Sequence, residues 1–278
     1  WPNMYSNLDK KKIPLVLLNA RITAKSFYRW SKFPNFSKSI FNKISLAMPQ
    51  NLETKKYLKI LGTKKIKSVG NLKYFGEKKL SLNSIYFKNK FKNKIIWCAA
   101  STHENEEIFI GKVHKKLKLR YKNLLTIIIP RHINRSDNII NNLKNLDLKT
   151  IKHSSSRIIK NDTDIYLVDI YGKSSNFYEL SNITFLGGSL IPHGGQNPLE
   201  PARSSNYILH GPYIDNFKEI YSMLKKLKIT SKVNSISKTE KIIIKKIRHS
   251  QSKLINKKIF SLGNKILNKN LIEINKFI

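Results

Sequence analysis

Cysteine is almost absent: Cys98 is the only one in 278 residues. It lies in the apolar run IIWCAA and reads as a core residue. Neither a disulfide framework nor a cysteine metal site is therefore available, and a reducing compartment is expected. Long apolar runs are missing as well. The longest, LLTIII and PLVLL, fall far short of the roughly 20 residues that a membrane helix needs. No signal peptide opens the chain. It starts at Trp1, just ahead of an apolar strand, which we read as the tail of a domain whose beginning lies upstream.

Acidic residues are scarce, 17 against 53 lysines and arginines, and the formal net charge is +36. An excess of this sign suits an anionic partner: nucleic acid, an acidic membrane surface or a phosphorylated substrate. The lysines are scattered rather than gathered in a tail, however, and Lys, Asn and Ile are abundant throughout. AT-rich coding accounts for most of the charge, with attraction to anionic lipid headgroups as a by-product. No nucleic-acid recognition motif is present. Hydrophobic residues make up 40%, which excludes wholesale disorder. Catalytic signatures are missing too. There is no P-loop, GxGxxG, HExxH or GxSxG, His103 and His114 are too far apart for a helical metal pair, and no pair of carboxylates stands out for acid–base work.

What is there is an alternation. From Ile95 onward, short apolar runs (IIWCAAS, LLTIIIP, LKTIKHS, DIYLVD, ITFLGG, YILHG) take turns with helical patterns. The helices are expected at Glu104–Leu119, near Ser136–Leu146 and Ser175–Leu180, from Pro198, and at Asn216–Leu227 and much of Thr239–Phe277. This predicts an α/β fold, a parallel sheet with helices on both faces and ligands beyond the carboxyl ends of its strands. Residues 1–76 show one clear strand, PLVLLN, and a helix near Asn51–Leu61, too little for a core of their own. Residues 77–94 read as a linker and 95–278 as one domain.

Glycine and proline total only 11 and 9, yet the segment FLGGSLIPHGGQNPLEPA holds four of the glycines and three of the prolines. It reads as strand, glycine loop, helix N-terminus. Gly187, Gly188, Ser189, Gly194 and Gly195 would offer backbone amides to a phosphate or carboxylate. Asn197, Pro198 and Glu200 fit the N-cap, first and third positions of a capping box. From local pattern, Glu200 is as well explained by capping its own helix as by contacting a ligand. Pro130 and Arg131 end the strand LLTIIIP, where an arginine clamp for an anion would sit. His132 reads as a hydrogen-bonding neighbour. Tyr171, Gly172 and Lys173 follow DIYLVD, where Gly172 either admits a ligand or only shapes a turn. Ser101 or Thr102 is placed to cap the next helix, whose Glu104, Glu106 and Glu107 favour its positive end.

The series WPN, LLNARIT, VGNLKYF, STHENEE, PRH, FLGGSLIPHGGQNPLEPA and HGPYIDNF resembles the 3-deoxy-D-manno-octulosonic acid (Kdo) transferases of lipopolysaccharide synthesis, from Trp1 to about residue 240. The resemblance implies a GT-B glycosyltransferase with two Rossmann-like domains, of which the end of the first (1–76, acceptor) and all of the second (95–278, donor) are present. It implies transfer of Kdo from CMP-Kdo to a lipid A precursor (lipid IVA), inverting and without metal or other cofactor, at the cytoplasmic face of the inner membrane. Peripheral contact or an N-terminal anchor outside this chain would hold it there. By position, the CMP contacts fall on Pro130 and Arg131, on Tyr171, Gly172 and Lys173, and on Asn197, Pro198, Leu199 and Glu200. Ser101 and Thr102 are further loop candidates. At Lys173 the family usually has a carboxylate, so a contact to a donor hydroxyl there gives way to an approach to phosphate. The general-base glutamate belongs to a region upstream of Trp1, so this stretch is expected to bind donor without catalysing transfer. The alternatives are a GT-B transferase using a UDP-sugar, a basic nucleic-acid-binding protein, and an inactive paralogue.

Overall fold

A computed structural model describes residues 1–76, 83–155, 159–249 and 253–277, without the side chains of 83–85 and 253–255. The chain divides into two compact units, Trp1–Glu77 with Lys258–Ile278, and Lys78–Lys257.

The first unit begins with α1 (Pro2–Lys10), β1 (Val16–Ala20), α2 (Ala24–Ser31), α3 (Pro34–Phe41), β2 (Leu46–Pro49) and α4 (Leu52–Leu61). β1 and β2 pair in parallel, Val16 opposite Leu46. Only β1 and α4 are legible as elements in the sequence. β2 is four residues long and wholly buried, too short to show a period. The unit has a core after all: Ile40, Phe41, Ile44, Ala47, Leu58 and Leu61 form one cluster, with Leu17, Phe27 and Trp30 packed on it.

The second unit contains α5 (Asn83–Lys90), β3 (Ile95–Thr102), α6 (Glu106–Arg120), β4 (Leu124–Pro130), α7 (Ser136–Lys144), β5 (Thr150–Lys152), β6 (Ile165–Leu167), α8 (Ser174–Tyr178), β7 (Ile183–Leu186), α9 (Leu199–Arg203), β8 (Tyr207–His210), α10 (Lys218–Lys226), β9 (Thr230–Lys232) and α11 (Ile236–Lys246). Its seven strands form a parallel sheet in the order β5-β6-β4-β3-β7-β8-β9, as the alternation predicts. Every residue of β4 and β7 is buried, the mark of strands covered on both faces. Trp97, Ile110, Leu117, Ile128, Phe185 and Leu209 belong to one continuous core.

Two boundaries differ from the expectation. The segment 77–94 is not simply a linker: α5 lies within it, and Phe87 and Phe91 are buried. Phe87 meets Phe177 with ring centroids 5.1 Å apart, and Phe91 meets Tyr166 edge-on at 5.1 Å. Residues 77–82 are outside the described part. The second difference is α12 (Lys253–Ile274), whose residues from Lys258 onward belong to the first unit. Gly263 lets the helix backbone approach Tyr74 and Phe75, with no room for a Cβ. Ile266 packs on Gly70, and Lys67 pairs with Glu273 at 2.7 Å.

Candidate functional site

The candidate residues of the second unit follow the carboxyl ends of adjacent strands. Arg131 follows β4, Ser101–His103 end β3, Tyr171–Lys173 follow β6, and the glycine loop follows β7. β3 lies at the centre, with β4 on one side and β7 on the other. The chain thus departs in opposite directions there, the point where open parallel sheets bind ligands. A bulge at Ser101, in the left-handed region at φ 54°, interrupts the β3–β4 register between Ala100 and Thr102. The Arg131 amide then donates to the Thr102 carbonyl at 3.0 Å. The Thr102 hydroxyl is buried with no hydrogen-bond partner among the described residues.

The glycine loop corrects one expectation. The amides of Gly188, Ser189 and Leu190 do meet an anion, but it is an internal one. Glu106 Oε2 accepts from Gly188 at 2.7 Å and from His103 N at 2.9 Å, while Oε1 accepts from Ser189 at 3.1 Å and Leu190 at 2.9 Å. Burial pushes the Glu106 carboxyl up; the four amides oppose that, and the balance leaves it raised. The Gly187 amide is taken by the Ala100 carbonyl and that of Gly195 by Gly188. A Cβ on Gly187 would press on Ser101 O and stand 2.6 Å from Thr102 Cα, so this glycine serves close packing. Glu106 therefore does far more than favour a helix end. The helix itself starts after Asn105, with neither Ser101 nor Thr102 as its cap.

The capping box is not formed either. α9 is five residues long, starts after Pro198 and has no side-chain cap at that residue. Asn197 Oδ1 accepts instead from the Leu199 amide at 3.2 Å. Glu200 accepts from Ser174 Oγ at 3.3 Å. That contact joins the N-terminus of α8 to α9 and brings Tyr171–Lys173 close to Asn197–Glu200. Pro198 and Leu199 are buried, whereas Glu200 is exposed. Gly172 has φ 78° and open space around its Cβ position, so the turn itself requires it. Lys173 and Arg131 are both exposed, and Arg131 has no ion-pair partner among the described residues. Arg135 is committed: it forms a two-pronged pair with buried Glu107 at 3.1 and 3.2 Å.

Near these groups meet three histidines that the sequence does not bring together, where His132 reads as a hydrogen-bonding neighbour and His103 as no metal ligand. The ring of His103 lies 4.3 Å from that of His193 and 5.9 Å from that of His132, centroid to centroid. His103 is buried; His132 and His193 are exposed. Burial, then His193, His132, Arg135 and Arg131, hold the His103 imidazole down to about 4. Its Nε2 stands 3.4 Å from Gln196 Nε2. The residues lie in loops that follow three different strands and are far apart in sequence, so no spacing rule finds them. Among the described residues no three His, Cys, Asp or Glu are grouped to hold a metal ion.

Residues 1–75 match the family described as 3-Deoxy-D-manno-octulosonic-acid transferase (kdotransferase). The chain is 34% identical over 244 residues to 3-deoxy-D-manno-octulosonic acid transferase of Haemophilus influenzae, covering 84% of this chain and 56% of that protein. The Rickettsia bellii protein of the same name is also 34% identical, over 76% of this chain and 51% of its own length. The chain thus spans about half the length of these relatives. Among solved structures it is similar to the C-terminal CMP-Kdo binding domain of WaaA from Acinetobacter baumannii. That match has 26% identity and a TM-score of 0.57, over 66% of this chain and 96% of that domain. The UDP-GlcNAc 2-epimerase of Neisseria meningitidis, 13% identical with a TM-score of 0.57, shares the fold. The resemblance to the Kdo transferases is borne out.

Proposed function

With kinship to the Kdo transferases as the premise, we propose that this chain carries the donor-binding part of a Kdo glycosyltransferase. The donor is CMP-Kdo, and its site is the carboxyl edge of the seven-stranded sheet. The observation that carries this reading is the convergence of Arg131, Tyr171–Lys173 and Asn197–Glu200 on that edge, tied by the Ser174–Glu200 contact. The similar WaaA domain is named for binding CMP-Kdo.

The chemistry asked of the site is modest. Departure of CMP leaves negative charge on a phosphate, and fixed cationic donors stabilise it without a bound metal. Arg131 is a planar donor fork, suited to two oxygens of one anion. Lys173 adds a point charge on the same sheet edge. Glu200 is placed to accept a hydroxyl of the donor. Transfer is inverting, with the base that deprotonates the acceptor hydroxyl supplied from the acceptor domain.

The acceptor is a lipid A precursor (lipid IVA), within lipopolysaccharide synthesis at the cytoplasmic face of the inner membrane. Supporting this, the first unit contains a cavity of about 370 Å³, lined by Leu17, Ile22, Trp30 and Phe41 together with Arg21. Tyr28, Phe33 and Phe36 are exposed beside the basic Lys25, Arg29 and Lys32, a mixture that suits an anionic lipid surface. Among the described residues no helix is long and apolar enough to cross a membrane.

Calorimetric titration of the folded chain with CMP, UMP and GMP tests the donor. CMP is expected to bind in preference to both. Equal binding of the three would reduce the site to a nonspecific anion trap, and preference for UMP would favour a UDP-sugar donor.

A further inference from the structure

The three histidines stand within the segments STHENEE, PRH and FLGGSLIPHGGQNPLEPA but not among the donor contacts that the resemblance implies, and their surroundings argue for a ligand. Three imidazoles converge from the loops that follow three neighbouring strands, β4, β3 and β7. Arg131 precedes His132 directly, and its charge and that of Arg135 reach His103. The buried acids nearby are spoken for. Glu106 is saturated by four amides, including that of His103 itself. Glu107 is neutralised by the two-pronged Arg135. Glu104 is exposed at the start of the same segment. The two buried carboxylates nearest the cluster are thus engaged by protein groups, Glu104 faces solvent, and Arg131 is left among the described residues as an unpaired cation near the three rings. Such a place is made for an anion brought from outside. Two of the three rings, His132 and His193, are exposed and thus accessible to it.

We propose that His103, His132 and His193, with Arg131, form an oxyanion subsite that receives either the phosphate or the sugar carboxylate of the donor. The inference rests on the donor reading above and extends it to residues not assigned there. Gly188 is part of the device. A Cβ there would stand 3.1 Å from two atoms of the His103 ring, so the glycine leaves the ring free to occupy its place. The Glu106 contacts hold that glycine and the His103 backbone together, one carboxylate oxygen serving both amides. An entering oxyanion favours the charged imidazole. Binding is then coupled to proton uptake, and affinity falls as pH rises.

The test uses the exposed pair, since His103 is buried and its replacement endangers folding. H132Q, H193Q and the double variant are compared with the parent by calorimetry. The probes are CMP, cytidine, and Kdo added to CMP-saturated protein, each between pH 6 and 8. If the phosphate occupies the subsite, the double variant binds CMP at least tenfold more weakly. Cytidine binding stays unchanged, and the dependence of CMP affinity on pH flattens. If the carboxylate occupies it, CMP binding is preserved and the Kdo response is lost. Double-variant binding of CMP and Kdo equal to the parent's at every pH would overturn the subsite, even with CMP still preferred over UMP. Failure of the parent to bind CMP at all would remove the donor reading and the subsite together.

Discussion

The Gly188 amide donates to the Glu106 carboxylate at 2.7 Å, across 82 positions of sequence. An acid from the first turn of α6 thereby fills the amide cradle of a loop on the neighbouring strand. The glycine loop is thus shaped from within, and the groups left to meet a ligand are side chains: the cationic Arg131 and Lys173 and the three histidine rings.

Glu106→Gln removes the charge and sets an amide donor against loop amides. Leaving buried donors unsatisfied costs about 1–3 kcal/mol. Denaturant unfolding should show a loss of that size, and hydrogen exchange should show the Gly188–Leu190 amides losing protection. Unchanged protection would mean that the loop holds its shape without the carboxylate.

Two arginines four positions apart should behave oppositely. Arg135→Ala strands Glu107, whose side chain is 2% exposed, and breaking a buried pair costs about 3–5 kcal/mol. Arg131→Ala removes an exposed side chain and should shift stability by no more than about 0.5 kcal/mol. Thermal unfolding of the two variants side by side checks the contrast.

The glycines separate in the same manner. Gly187→Ala drives a methyl group into the Ser101–Thr102 backbone and should cost about 1–3 kcal/mol through overpacking. Gly172→Ala meets open space and pays only for its positive φ, about 1–2 kcal/mol. Gly187→Ala should also perturb the end of β3, visible in the amide shift of Arg131, while Gly172→Ala should not.

Acid should destabilise the fold early. Burial is the main cause that lowers His103, His114, His153 and His210 below the ordinary imidazole value. A histidine protonates in the unfolded chain near pH 6.5 but later in the folded one. The unfolded state then binds more protons, and stability falls as pH falls. For His103 the loss runs from about pH 6.5 down to about 4. Unfolding free energies measured at half-unit steps over this range should decline. A flat profile would show these imidazoles to be free of the burial described.

Much of this was legible in the sequence. The alternation of apolar runs and helical patterns reports a parallel α/β sheet because strands such as Leu124–Pro130 are buried on both faces and read as continuous apolar blocks. Arg131 was legible because it stands at a strand end. β2 and β9 were not, because LAMP and TSK are short and carry no β-branched or aromatic apolar run. The destination of α12 was hidden because Gly263 looks like an ordinary helix glycine until Tyr74 is placed against it. Glu106 was misjudged because three of its four amide partners lie more than 80 positions away. The histidine cluster escaped for the same reason: sheet order, not spacing, brings its members together.

The central claim is that Arg131 anchors a CMP donor at this sheet edge. Calorimetry of CMP binding to the parent and to Arg131→Ala, both verified as folded, tests it most directly. The account predicts weakening by about 1.5–3 kcal/mol, the worth of a hydrogen bond to a charged group. Equal CMP affinity in the two proteins would contradict it and place the donor phosphate elsewhere.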